Sequence, residues 1–324
     1  MKPLRPPDAT GQPSVAVAIV CICSAAHLAS CLEALRRQLG APPFQVVISH
    51  DSHITGIDAL AARYPETRIL VNAGARSPFE LASAALRAAE ADVVLLTEDH
   101  CVPHRDWVRR MIEARAPDRA AVGGRVEIYA NASALDWAFY FVDFFPYAAP
   151  VRAGPSPNLS ICNVAYDRDR LEAVREVWGV RFQQTQVNEA LCQRYGTLWM
   201  EPASEVVMYR SVSARDACYE RYAFGRLFAR ARIEHISPLR RGLYAALAPA
   251  LPAVLLGRMM AKALLSARLA GPFLRALIPL VTMVLCWSWG EWLGYLTGRP
   301  PRLMVIAPDR GTTRRPSEDG AGTA

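Results

Sequence analysis

The chain has 324 residues, 52% of them hydrophobic and 21% charged, with a formal net charge of +7. This composition excludes a disordered chain and allows one large domain with an appendage, or two domains. The positive excess suits phosphates, nucleotides or an anionic membrane, and the absence of zinc-finger spacing, an RNP motif or a lysine-rich stripe argues against nucleic acid as a partner.

Residues 1–13 read as a loose, proline-rich tail with no apolar stretch of the secretory kind. A β-branched apolar run from Ser14 to Cys23 then predicts a strand. In the following HLASCLEALRRQLG, Leu28, Cys31, Leu32, Leu35 and Leu39 recur at helical spacing, and Gly40 is a natural stop. Phe44–Ser49 predicts a second strand, 57–64 a weaker helix, and Arg68–Asn72 a third strand. Ser77 as N-cap with Pro78 and Glu80 in the first turn opens the next helix. DVVLLT is a fourth strand, PHRDWVRRMIEAR a helix, and Ala120–Ile128 a fifth strand. Strict alternation of short apolar strands with helices is the mark of an α/β fold with a mostly parallel sheet covered on both faces.

In such sheets ligands bind beyond the carboxyl ends of the strands. Two polar clusters fall there: SHDSH, Ser49 to His53, and TEDH, Thr97 to His100. Different strands thus deliver carboxylates and imidazoles to one edge.

The second half predicts an aromatic helix over 131–145 and a short strand before a helix beginning near Asp167. A helix stopped by Gly196, two strands in TLWMEP and EVVMY, and a basic helix through Arg226 and Arg230 follow. From about residue 236 the chain turns apolar. Gly242–Gly257 carries no charge and Ala276–Leu296 carries only Glu291, with arginines on every flank and Trp287, Trp289, Trp292 and Tyr295 clustered at one end. A bilayer span needs about 20 apolar residues, so the second segment qualifies and the first is marginal. A buried pair of soluble helices and helices lying in the membrane plane are the alternatives. The expected organisation is a tail at 1–13, an α/β domain at 14–235, hydrophobic membrane-associated helices at 236–299 and a basic tail at 300–324. Eight cysteines, none in a CxxC, read as small buried hydrophobes in a reducing compartment.

The ordered set of motifs resembles the inverting family 2 glycosyltransferases of GT-A fold. Cys31, Leu32, Leu35 and Gln38 stand in that family's CL-x-x-L-x-x-Q pattern. His50-Asp51 stands where paired aspartates grip the nucleoside, and Thr97-Glu98-Asp99, followed by His100, where the metal-binding DxD lies. Pro103 and Trp107 follow in their usual places, and the apolar C-terminal segment looks like the tail of a bacterial subgroup. The resemblance covers residues 15 to about 232. It implies a transferase that moves a sugar from a nucleotide-diphosphate sugar to a lipid-linked or cell-envelope glycan, inverting the anomeric carbon. It implies Mg2+ or Mn2+ on Asp99 and His100, nucleoside contacts from Asp51 and His50, and diphosphate contacts from Arg226 and Arg230. It further implies membrane association, with the catalytic domain cytoplasmic at a bacterial inner membrane. The family's catalytic base falls on Gln184, an amide that cannot act as a base. Glu189 and Glu98 are the substitute candidates. Two other readings remain: a metal-dependent hydrolase built on the His/Asp clusters, and a catalytically impaired nucleotide-sugar-binding protein.

Overall fold

The computed structural model describes residues 14–74, 77–234 and 236–301. The tail expected at 1–13, and that at 300–324 beyond residue 301, lie outside the described residues. The strands are β1 (Val15–Cys21), β2 (Phe44–Asp51), β3 (Arg68–Asn72), β4 (Val93–Glu98), β5 (Cys101–Pro103), β6 (Arg119–Ile128), β7 (Gly154–Ser156), β8 (Val164–Asp167) and β9 (Thr197–Met208). The helices are α1 (Ala25–Arg36), α2 (Ile57–Arg63), α3 (Pro78–Ala88), α4 (Trp107–Glu113), α5 (Ala134–Phe144), α6 (Arg168–Glu172), α7 (Arg175–Trp178), α8 (Gln184–Tyr195), α9 (Ala214–Ile233), α10 (Pro238–Leu247), α11 (Leu251–Leu264) and α12 (Ala267–Thr297).

The chain divides into two compact units. One holds residues 14–129 and 147–209, the other 130–146 and 210–301. The first unit is built on one sheet in the order β3-β2-β1-β4-β8-β6-β9-β5, with β7 also paired to β9. β3, β2, β1 and β4 run parallel, and β8 is antiparallel to both β4 and β6. β1 is buried at every residue, as is β4, which is why both read as unbroken apolar runs.

The two strands expected in TLWMEP and EVVMY are one strand, β9. Its pairing with β6 jumps from Gly124–Glu201 to Arg125–Glu205, so three residues of β9 loop out there. Pro202 cannot donate a ladder hydrogen bond, which suits it to that bulge. A side chain at Gly124 has no room: a Cβ there would lie 1.9 Å from the Ser204 carbonyl oxygen.

In the second unit α12 packs against α9 and α5. Gly225 of α9 faces the backbone of Trp287 and Glu291, and Gly290 of α12 faces the Tyr222 carbonyl. Small residues let these two backbones touch. At the start of α9, Arg210 grips Glu220 through two bonds of 3.0 and 2.7 Å, and Arg221 adds a third at 2.6 Å. The segments 238–264 and 267–297 are each long and apolar enough to cross a membrane by length and composition.

Candidate active site

Strand register explains why the two polar clusters meet. Pairing of β1 with β2 sets Cys21 opposite His50, and pairing with β4 sets Val20 opposite Glu98. The ends of β2 and β4 therefore emerge on either side of the β1–α1 connection. On the β2 side, Asp51 accepts the backbone N–H of His53 at 2.9 Å and also pairs with the His53 ring. Partial burial works to raise the Asp51 pKa, but the His53 N–H and imidazole outweigh it and hold the carboxyl below its usual range. The His50 ring donates from Nδ1 to the Asp51 carbonyl at 2.9 Å.

On the β4 side the chain turns sharply through Asp99 and His100 into β5. Asp99 is fully buried. Its Oδ2 accepts the N–H groups of Cys23 and Ser24 at 2.9 and 3.1 Å and the Cys21 thiol at 3.4 Å. Its Oδ1 has no hydrogen-bond partner. The His100 ring lies between two acids, with Nε2 3.5 Å from Glu98 Oε2 and Nδ1 3.6 Å from Asp99 Oδ1. Burial opposes charge on both partners. It is outweighed at Asp99 by the His100 imidazole and the Cys23 N–H, which hold that pKa down. At His100 the Cys101 and Cys23 sulfurs and Asp99 outweigh it and hold the pKa well up.

Thr97 occupies the place where the family pattern has an acid. Its buried hydroxyl donates to the Cys162 carbonyl at 2.8 Å. An ionised carboxylate there would face a carbonyl oxygen without water, so threonine is what this packing accepts. Cys162 also donates its thiol to Glu98 Oε2 at 3.1 Å. Sequence reasoning singled out neither Cys162 nor its neighbour Asn163. Nothing local marks them, because their partners lie on strands distant in sequence. Asn163 accepts from the Trp107 indole at 2.7 Å and donates to the carbonyls of Arg125 and Ser204 at 2.7 and 3.1 Å, which ties α4 to the β9 bulge. Gln38 explains its own motif: it accepts the Val108 N–H at 2.9 Å and donates to the His104 carbonyl at 2.7 Å, clamping the end of α1 to the segment after the turn.

Gln184 opens α8, and its Oε1 accepts the Ile161 N–H at 2.8 Å while its Nε2 is buried without a partner. Glu189 is exposed on the same helix, five residues on and thus about 140° around the axis. Arg226 and Arg230 belong to α9 in the second unit. Arg226 donates through Nη1 and Nη2 to the Tyr222 and Thr297 hydroxyls and the Arg299 carbonyl, and Arg230 pairs with Glu234 at 3.3 Å.

The sheet order, the shared strand edge and its acids and imidazoles define a GT-A domain. Residues 16–175 match the family profile described as glycosyl transferase family 2, and this segment belongs to that family. Similar solved structures include the mannosyltransferase PcManGT from Pyrobaculum calidifontis, in complex with GDP-Man and Mn2+, at TM-score 0.48 and 17% identity over 90% of this chain and 75% of that one. TarS 1-349 from S. aureus has TM-score 0.47 and 13% identity over 88% and 92% of the two chains. None of the curated proteins matches the sequence.

The family implies a divalent metal at this turn, and the residues can be tested against it. Cys23, Asp99 and His100 bring ligand atoms within 4.8 Å of one another. Asp99 Oδ1 and His100 Nδ1, buried 3.6 Å apart with no closer hydrogen-bond partner, are the two atoms that such an ion would engage. Carboxylate plus imidazole fits Mn2+ better than Mg2+, which holds to oxygen ligands.

Proposed function

We propose that the protein transfers a sugar from a nucleotide-diphosphate sugar to a lipid-linked or envelope glycan, with inversion at the anomeric carbon. The observation that carries this reading is the convergence of the β1, β2 and β4 ends at one edge, inside the segment that matches the family. Asp51, its charge held by His53, hydrogen-bonds the nucleoside, with His50 beside it. Asp99 and His100 hold the metal. When bound, that ion neutralises the diphosphate so that it can leave. Asp99 Oδ2 meanwhile fixes the β1–α1 connection against the turn. Glu98 is the carboxylate beside His100 that remains to accept the acceptor's proton, since Gln184 is an amide and Glu189 faces solvent. Of the hydrolase alternative's residues, Asp99 and His100 enter a metal-competent grouping among the described residues, and His50, Asp51, His53 and His104 enter none.

The same reading places the apolar segments from residue 236 onward at a membrane, where the acceptor's lipid would lie. The test is a screen of nucleotide sugars for thermal stabilisation with and without Mn2+. A ligand at 100 times its Kd adds about 2.7 kcal/mol. Stabilisation by one donor class, dependent on metal and lost in Asp51→Ala, supports the reading. No donor-dependent shift with Mn2+ present would sink it.

A further inference from the structure

One imidazole serves two donor sets. One grouping joins His100 with Asp99 and Cys23. A second joins it with Cys101 and Cys162, whose sulfurs and the ring nitrogen again lie within 4.8 Å of one another. All members of the second set are buried. The Cys162 thiol reaches Glu98 Oε2 at 3.1 Å, the same oxygen that lies 3.5 Å from His100 Nε2. Two sulfurs and an imidazole nitrogen, closed off from solvent, match the donor types of a zinc-class site, and Glu98 Oε2 stands beside two of the three. They do not match Mg2+, which requires oxygens, and thiolates select softer ions than Mn2+.

We propose that His100, Cys101 and Cys162, with Glu98 Oε2 beside them, form a site for a thiophilic divalent cation of the zinc class, whose occupancy withdraws His100 and its neighbour Glu98 from transfer. Each thiol gives its proton to solvent as its sulfur bonds the ion, and any proton on the coordinating ring nitrogen leaves with them. A neutral imidazole has one lone pair. With the ion on Nε2, Nδ1 carries the hydrogen and faces Asp99 Oδ1, a carboxylate backing of the kind that orients metal-bound histidines. Asp99 is in turn anchored by the Cys23 and Ser24 N–H groups. The zinc-class ion and the Mn2+ of the transfer reaction therefore compete for one ring. The binding claim stands apart from the transferase reading, and only the inhibition rests on it.

The test uses full-length protein kept reduced and titrated with Co2+ in place of zinc. At one equivalent we expect a near-ultraviolet thiolate-to-cobalt band with the visible bands of tetrahedral cobalt, bleached by one equivalent of Zn2+. Cys101→Ser and Cys162→Ser should each lose the band, and Cys23→Ser should keep it. In the same preparation Zn2+ should suppress Mn2+-supported transfer in the unmutated chain but not in Cys162→Ser, with a chelator restoring it. No band at stoichiometric cobalt, or a band unchanged in both serine variants, overturns the site. If those variants do not fold, protection of Cys101 and Cys162 by Zn2+ from alkylation during a urea pulse decides in the unmutated chain, and no protection overturns the site. A band without zinc inhibition overturns the inhibitory role. Absence of all Mn2+-supported transfer overturns the function proposed above, while the cobalt titration still decides the site.

Discussion

The backbone N–H of Cys23 lies 2.9 Å from Oδ2 of Asp99, seventy-six residues away in sequence. With the Ser24 N–H at 3.1 Å on the same oxygen, this bond fastens the connection after β1 to the turn after β4. Asp99→Ala would deprive both half-buried N–H groups of this acceptor, a loss of roughly 1–3 kcal/mol. Asp99→Asn keeps an acceptor oxygen but not the charge. We therefore expect Asp99→Ala to lower Tm by more than Asp99→Asn in the absence of metal, and both to abolish the Mn2+ dependence of donor binding. Differential scanning with and without Mn2+ separates the two effects. An Asp99→Ala protein as stable as the unmutated chain would show that the anchor contributes nothing.

Gln184 holds the Ile161 N–H through an oxygen that glutamate also possesses, and its Nε2 has no partner to lose. Gln184→Glu should therefore keep the Ile161 bond, at the cost of burying a carboxylate oxygen where Nε2 stands, and place a carboxylate where the family resemblance expects a base. Positioned bases contribute typically 10²–10⁴-fold, so we expect single-turnover transfer to rise by about 10²-fold at neutral pH. No rise, with donor binding intact, would show that Glu98 already supplies the base.

Gly290 faces Tyr222, whose carbonyl oxygen a Cβ would meet at 2.1 Å, whereas a Cβ at Gly271 of the same helix meets nothing within 4 Å. Gly290→Ala must push two backbones apart, at a cost of roughly 1–3 kcal/mol. Gly271→Ala should be neutral or slightly stabilising, because alanine is the better helix former. Paired melting curves test this, and equal Tm values for the two variants would refute the close contact of α9 with α12.

Asp106 accepts from Arg110 Nε at 3.0 Å, Arg109 Nη2 at 3.1 Å and the His104 ring at 2.7 Å. Burial works to raise its pKa, but the His104 and Arg110 hydrogen bonds and charges outweigh it and set the folded value below the unfolded one. A group depressed in this way stabilises the fold above its unfolded pKa, and that stability is lost as pH falls through the folded value. The partners are partly exposed, so the gain is at most about 1 kcal/mol. Asp106→Asn should thus be less stable than the unmutated chain at pH 7, and the gap should close below about pH 4. Urea midpoints across that range would show it, and a gap independent of pH would contradict the assignment.

Much of the first unit was legible because its determinants are local. Fully buried parallel strands read as apolar runs, Gly40 adopts the left-handed conformation just past α1, and Ser77 with Pro78 marks the start of α3. The single strand β9 was not legible, since a three-residue bulge reads as a turn until its partner β6 is known. The division of the chain was hidden for the same reason. α5 and α9 look like further helices of the first domain, and only the placement of Gly225 and Phe141 against α12 shows where they pack. At the candidate site the sequence could name Glu98, Asp99 and His100. It could not show that Thr97 is held by a carbonyl, or that Cys162 closes over Glu98 from sixty-four residues away.

Under the proposed membrane association, the packing of α9 on α12 would limit how deep the C-terminal helix reaches into lipid. α9 carries charges along its length and runs beside α12 from Trp287 to Gly294. The final carbonyls of α12, at Tyr295 and Leu296, are taken by Arg241 at 2.6 and 2.9 Å. Guanidinium groups and a charged neighbour hold that half at headgroup level or above it. Below Arg275, the uncharged stretch before Cys286, whose sulfur lies beside that of Cys218 on α9, is Ala276 to Leu285, ten residues or about 15 Å. A bilayer's hydrocarbon is about 30 Å thick. A helix that looks long enough to cross would therefore dip through one leaflet and leave the other untouched.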